Sequence, residues 1–282
     1  MAVRFLLAES ETAKARAARR ASTGQSAAES YIDTLQSIVP HADCDIVRPH
    51  EAGPDAVPPR NLREYDAVFL SGSPLHVYDD SPETRRQLDF MRAVFAANVP
   101  AFGSCAGLQV AVAAAGGRVV KAARHELAFA RRITATADGA GHPLLAGRPP
   151  SWDALAIHSD MVEALPPGGT LLAGNAVCPV QAVEIRRDGG VFWGVQYHPE
   201  LEIGEIAASL RRQSEDVIEQ GAARNAAEVD AQAALIAALG REPARLDLAW
   251  RLGVNEELTD PSRRRRELSN FIGHFVPGRQ QG

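Results

Sequence analysis

Short apolar blocks separated by amphipathic stretches dominate the first hundred residues. The blocks near 3–8, 43–47, 66–71 and 99–104 read as strands bounded by turn residues, and apart from 43–47 they are mainly apolar, as strands buried on both faces are. Between them, residues near 26–38, 83–97 and 106–115 repeat their apolar positions at helical spacing. This alternation predicts an α/β fold with a mainly parallel central sheet and helices on both faces. From 117 to 197 the pattern is richer in strands, with runs near 118–121, 127–136, 154–158, 170–174, 179–186 and 191–197. Part of that region is expected to add antiparallel strands to the sheet. From 202 to about 239 the chain is alanine-rich and helical, and Leu246, Leu248, Trp250 and Leu252 precede a further apolar stretch. We expect a main unit over residues 1–215 and a small helical extension over 216–282. The extension would pack on the main unit or on a second subunit, which leaves a homodimer open. The Arg263–Arg266 run reads as a solvated helix face.

The bulk composition narrows the class. A chain of 282 residues with 45% hydrophobic content can bury one large core with an appendage. No apolar run reaches the roughly 18 residues of a membrane span, and the start reads directly into a strand without a signal pattern. A net charge of −5 gives no pull toward nucleic acid. The three cysteines, Cys44, Cys105 and Cys178, are far apart and form no metal pattern, which suits a reducing cytoplasm. Cys44 and Cys178 read as small buried apolar residues.

Cys105 is different. In Val99-Pro100-Ala101-Phe102-Gly103-Ser104-Cys105-Ala106-Gly107-Leu108-Gln109 a buried strand runs into a cysteine flanked by glycines two residues away on each side, and a helix opens behind it. This is the cysteine form of the nucleophile elbow, whose glycines let strand and helix approach closely. The helix N-terminus favours a thiolate there. The strand Val191–Tyr197 ends in His198-Pro199-Glu200. If the chain stays extended, His198 and Glu200 face the same way, so the carboxylate can orient the imidazole. Cys105, His198 and Glu200 are therefore the candidate nucleophile, general base/acid and orienter.

The two motifs together resemble the class I (triad) glutamine amidotransferases, and most of all the glutaminase domain of GMP synthetase and its stand-alone relatives. The resemblance covers about residues 1–215 and implies a flavodoxin-like sheet. It assigns the oxyanion-hole donors to the backbone N–H groups of Gly72, in the loop Ser71-Gly72-Ser73-Pro74, and of Ala106. The family often has a second glycine where this chain has Ser73, and a bulkier residue where it has Ala106. Gln109, one helical turn past Cys105, would bind the amino-acid end of glutamine. In Ala156-Ile157-His158-Ser159-Asp160, Asp160 would meet the substrate ammonium and His158 would shape the loop. His125-Glu126 reads as a pocket wall, and residues 16–24 as an exposed, mobile segment near the site mouth.

The implied reaction passes through a γ-glutamyl thioester on Cys105 and needs no metal or organic cofactor. The leading expectation is a stand-alone glutaminase that delivers ammonia to a separately encoded synthetase, since the residues after 215 are too few for a synthetase module. An alternative is a γ-glutamyl hydrolase or transferase acting on γ-glutamyl amines or peptides, for which the small Ala106 leaves room. A third is a retired enzyme kept as a binding or regulatory protein.

Overall fold

The computed structural model describes residues 2–276. Met1 and residues 277–282, which close the two expected segments, lie outside the described residues. The first half alternates strand and helix. β1 (Arg4–Ala8) is followed by α1 (Ala13–Thr23), α2 (Ala27–Ile38), β2 (Asp43–Val47), β3 (Ala67–Leu70), α3 (Pro82–Ala97), β4 (Ala101–Ser104) and α4 (Ala106–Ala114). Then come β5 (Arg118–Ala135), β6 (Ser151–Ala164), β7 (Gly169–Gly174), β8 (Ala182–Arg187) and β9 (Gly190–Val195). Among the described residues these strands form a 9-stranded sheet in the order β2-β1-β3-β4-β9-β8-β7-β5-β6. The pairings from β2 across to β9 are parallel, and those from β9 out to β6 are antiparallel.

Strand alternation sends neighbouring side chains to opposite layers. Phe5, Leu7, Phe69, Phe102 and Trp193 pack on one face with Tyr31 and Leu35 of α2. Leu6, Val68, Leu70 and Phe192 pack on the other with Met91 and Phe95 of α3 and Leu108 of α4. Both layers are needed because the inner parallel strands β1, β3 and β4 are apolar on both sides.

The C-terminal helices are α5 (Ile203–Arg212), α6 (Ser214–Glu219), α7 (Ala226–Arg241), α8 (Leu246–Leu252), α9 (Glu256–Thr259), α10 (Pro261–Arg264) and α11 (Arg266–Phe275). Helices α5 and α7 bury Ile206, Leu210, Val229 and Ile236 against Phe129 and Leu155 of the antiparallel strands. Helix α11 enters the first core layer, where the Phe271 ring lies 5.6 Å from Phe69, 5.5 Å from Phe102 and 5.9 Å from Trp193. A buried ion-pair cluster ties it down. Arg148 donates from Nε and Nη2 to the two oxygens of Glu267 and from Nη1 to Glu257, each at 2.7 Å. Tyr197 OH donates to Glu267 at 2.9 Å.

Several expectations are refined or corrected. The segment 16–24, expected to be exposed, is mostly so, but it belongs to helix α1, started by Thr12 accepting from the Ala15 N–H and ended by Gly24 at φ 86°. Its Arg19 is buried. The runs near 118–121 and 127–136 are one strand, β5, whose register on β6 shifts between Lys121 and Glu126. The stretch from 202 to 239 is helical as expected, in three helices that part at Gln213 and again before Asn225 caps α7. Cys178 is buried, but Cys44, on the edge strand β2, is only half-buried.

Removing Glu267 would leave the Arg148 guanidinium in the core with Glu257 alone. Glu267→Ala is expected to lower the unfolding free energy by about 3–5 kcal/mol in chemical denaturation of the full chain. A loss below about 1 kcal/mol would show that the cluster does not anchor α11.

Candidate active site

The site lies where the parallel half of the sheet ends. Leaving β4, the chain turns at Cys105 with φ 53° and ψ −112°, and α4 starts at the next residue. A residue with a Cβ enters that region at a cost of about 1–3 kcal/mol, so the surroundings must hold it there. They do. The Cys105 N–H donates to Val195 O at 2.8 Å, which ties the turn to the end of β9. Both flanking glycines are sterically required. A Cβ on Gly103 would sit 2.6 Å from the Gly107 carbonyl carbon, and one on Gly107 would sit 2.5 Å from Leu70 O. Ala106 is the first residue of α4, so its N–H is among those without an acceptor inside the helix.

His198 follows β9, and its N–H donates to Leu155 O at 2.8 Å. Its Nδ1 lies 2.7 Å from Glu200 Oε1, and both side chains are buried. Thr34 of α2 fixes the Glu200 backbone by donating to its carbonyl at 2.9 Å. Glu200 Oε2 is buried without a hydrogen-bond partner among the described residues. Burial opposes the imidazolium charge, but the Glu200 carboxylate and the Cys105 sulfur outweigh it and raise the His198 pKa from 6.5 to about 10. The thiols of Cys44 and Cys178 are both shifted upward. Burial, with Asp43 and Asp45, pushes Cys44 up to about 11, and burial with the charge of Glu126 pushes Cys178 up to about 12. Neither offers a thiolate at neutral pH.

Gly72 stands directly against the imidazole: a Cβ there would lie 3.1 Å from His198 Cε1. Its loop is pinned on both sides. Ser71 Oγ accepts from the Ser10 N–H and donates to Gly72 O, while Ser73 Oγ donates to Ser10 O at 2.8 Å. Ser73 therefore locks the loop by its hydroxyl.

The structure also brings Gln109, His158 and Asp160 to the same cavity as Cys105, His198 and Gly72, a space of about 450 Å³. That falls within the range for binding a small organic molecule. The Gln109 amide donates to Asp160 O and Gln196 Oε1, each at 3.2 Å. The Asp160 carboxylate is already engaged, by His76 Nδ1 at 2.6 Å and Tyr78 OH at 3.0 Å. His158 Nδ1 lies 2.9 Å from Asp160 O, and its Nε2 lies 2.9 Å from Glu126 Oε2. The pocket-wall reading of His125-Glu126 is corrected. Glu126 sits behind the wall and also accepts from Asn175 and Gln181, while His125 Nδ1 contacts Asp216, which does line the cavity. The segment 16–24, expected near the site mouth, supplies Ala18 and Arg19 to the cavity wall, whereas no sequence signal marked Glu11, His76, Tyr78 or Arg212. Thr12 and Gly24 could have marked α1 as a helix, but no local signal turns these side chains inward.

A cysteine on a strained strand–helix turn, beside a buried His–Glu pair on a doubly wound sheet, is the layout of a thiol-dependent acyl-transfer enzyme. The model of the glutamine amidotransferase class I family matches residues 24–214, and the chain belongs to that family. It is 32% identical over 280 residues to a γ-glutamyl-L-1-hydroxyisopropylamide hydrolase from a Pseudomonas species, covering 97% of this chain and 93% of that one. It is also 37% identical over 166 residues to the glutamine-hydrolysing GMP synthase of Thiobacillus denitrificans, but that match takes in 54% of this chain and 29% of the synthase. In fold it is similar to a glutamine amidotransferase from Thermotoga maritima (TM-score 0.66, 14% identity, 99% of this chain and 100% of that one). Another similar structure is a glutamine amidotransferase from Methylobacillus flagellatus (TM-score 0.60, 20% identity, 90% and 95%). Among the described residues, no helix is long and apolar enough to cross a membrane.

The charge on His198 has a kinetic consequence. Its pKa of about 10 is expected to set the alkaline limb of kcat/KM for amide hydrolysis. Glu200→Gln removes a charge and an acceptor that favour the imidazolium and leaves the opposing burial in place. The limb should therefore move to lower pH by at least about one unit. A limb that stays in place in this variant would exclude the pairing as its source.

Proposed function

We propose that this enzyme hydrolyses γ-glutamyl amides whose nitrogen carries a small organic substituent, with L-glutamine as the simplest member of the series. One observation carries the reading: the similarity to the γ-glutamyl-L-1-hydroxyisopropylamide hydrolase runs through nearly the whole of both chains. It extends beyond the 24–214 family segment at both ends, over parts of the chain that hold α1 and the helices after α5. Residues of α1 line the cavity, which suits a substrate extending past the amide nitrogen.

In this mechanism Cys105 and His198 rest as a thiolate–imidazolium pair. The sulfur attacks the γ-carbonyl carbon, and the oxygen takes up negative charge between the N–H groups of Gly72 and Ala106. As the C–N bond breaks, His198 gives its proton to the departing nitrogen, and the amine leaves a γ-glutamyl thioester on Cys105. Water then loses a proton to His198 and adds its oxygen to the thioester carbonyl. The C–S bond breaks, glutamate is released and the ion pair is restored. Glu200 holds the imidazole in one tautomer throughout. Gln109 and Asp160 hold the amino-acid end, and the substrate ammonium replaces His76 as a partner of the Asp160 carboxylate.

A second reading, in which glutamine is the substrate and ammonia passes to a separately encoded acceptor enzyme, is supported by the similarity to the GMP synthase. A panel of L-glutamine and its N-alkyl γ-amides separates the two. Turnover of an N-alkyl amide with kcat/KM equal to or above that of glutamine is the expected result. Turnover of glutamine alone would reject it in favour of the second reading. Cys105→Ala should lower kcat by at least about 10⁴-fold and abolish covalent labelling by an electrophilic glutamine analogue, read by intact mass.

A further inference from the structure

The wall of the cavity on the α1 side is made by α1 and the α5–α6 junction, and it carries opposed charges. Most of them are matched. Arg19 Nη2 lies 2.7 Å from Glu205, and its Nη1 lies 3.6 Å from Glu11. Glu11 also accepts from the Ala27 N–H, and Asp216 faces His125. Arg212, exposed at the mouth, is the exception. Its Nη1 donates to Ser22 Oγ at 2.6 Å and its Nη2 to Ser209 Oγ at 2.7 Å; no carboxylate lies in direct ion-pair contact with it among the described residues, and Glu11 and Glu205 act on its charge only from farther off. Two neutral hydroxyls hold the guanidinium in place, so its direct contacts bring no negative charge. Beside it in the lining, the buried Arg19 has an Nε with no hydrogen-bond partner among the described residues.

In the proposed reaction the departing amine faces His198, and His198 and Arg212 line the same cavity. His198 protonates the departing nitrogen, so the amine lies on its side of the carbonyl, away from Gln109 and Asp160. Glu200 is followed directly by Leu201, which lines the cavity, and α5 begins two residues later and ends at Arg212. We propose that Arg212 binds a carboxylate on the amine side of the scissile bond, so that γ-glutamyl amino acids and short γ-glutamyl peptides are preferred over γ-glutamyl amides of neutral amines. The inference rests on the γ-glutamyl amide reading above and names its substrate class. A guanidinium fixed through one N–H on each terminal nitrogen keeps its others for an anion, and a carboxylate is the acceptor that matches its geometry and charge.

The test compares γ-glutamylglycine with γ-glutamylglycinamide, which have nearly the same size and differ in the charge of the terminal group. Rates are normalised to the concentration of titratable Cys105. The wild-type enzyme at low ionic strength should favour the carboxylate in kcat/KM by about tenfold, and added salt should narrow the gap. In Arg212→Gln the ratio should fall to about one, while Arg212→Lys should keep a clear preference for the carboxylate. Equal rates in the wild type, or an unchanged ratio in Arg212→Gln, would overturn the role of Arg212 and leave the amide reading standing. Cleavage of L-glutamine with neither N-substituted substrate accepted would overturn both.

Discussion

The approach of α4 to β3 and β4 around Cys105 is the constraint on which the rest of the site depends. Gly103 and Gly107 have no room for a single added carbon, and Cys105 itself is held at positive φ. Such a turn persists only when the sheet behind it is rigid, since relaxing it would recover the strain. The rigidity comes from both core layers together, with Phe69 and Phe102 under α11 on one side and Leu70 and Phe192 under α4 on the other. A C-terminal helix remote in sequence thereby braces the strand that carries the cysteine.

Charge is handled in the same way, by burying each group against a fixed partner. His198 stays cationic only because Glu200 and the Cys105 sulfur overcome the penalty of burial. Glu200 in turn keeps one oxygen without a hydrogen bond, so its charge is left to the imidazole on its other side. Behind the cavity wall, Glu126 accepts from His158, Asn175 and Gln181 and so steadies the strand segment that ends in Asp160. These networks raise the stakes of any single loss, because removing one member strands the others away from water.

Local signals were enough for the elbow and for the histidine at the end of β9, because both depend on residues close together in the chain. The parallel half of the sheet was legible for a similar reason, since strands buried on both faces are apolar throughout. The remainder was set by contacts across long sequence distances. Arg16 to Gly24 looked solvated because of its arginines, yet Arg19 meets Glu205, and that distant carboxylate offsets its burial. His76 and Tyr78 follow an ordinary glycine–proline loop, and only the fold brings them to Asp160. The placement of α11 depended on Arg148 and Glu267, which are far apart and read singly as surface charges. In β5 the stretch from Lys121 to Glu126 lies opposite only Asp160 to His158 of β6, an irregularity within one strand that periodicity alone could not distinguish from two strands.

The division of labour follows from how each part is held. The cysteine turn and the His–Glu pair sit on sheet ends inside the 24–214 segment, where a change in backbone would alter the chemistry itself. The opposite wall is held by side chains that bridge two helices: Arg19 of α1 reaches Glu205 of α5, and Arg212 of α5 reaches Ser22 of α1. Side-chain bridges can be exchanged without moving β4 or β9. On the γ-glutamyl amide reading, such a protein can change which amine departs while keeping the same acylation step, because Cys105 and His198 stand at the ends of β4 and β9 and the wall is carried by α1 and α5.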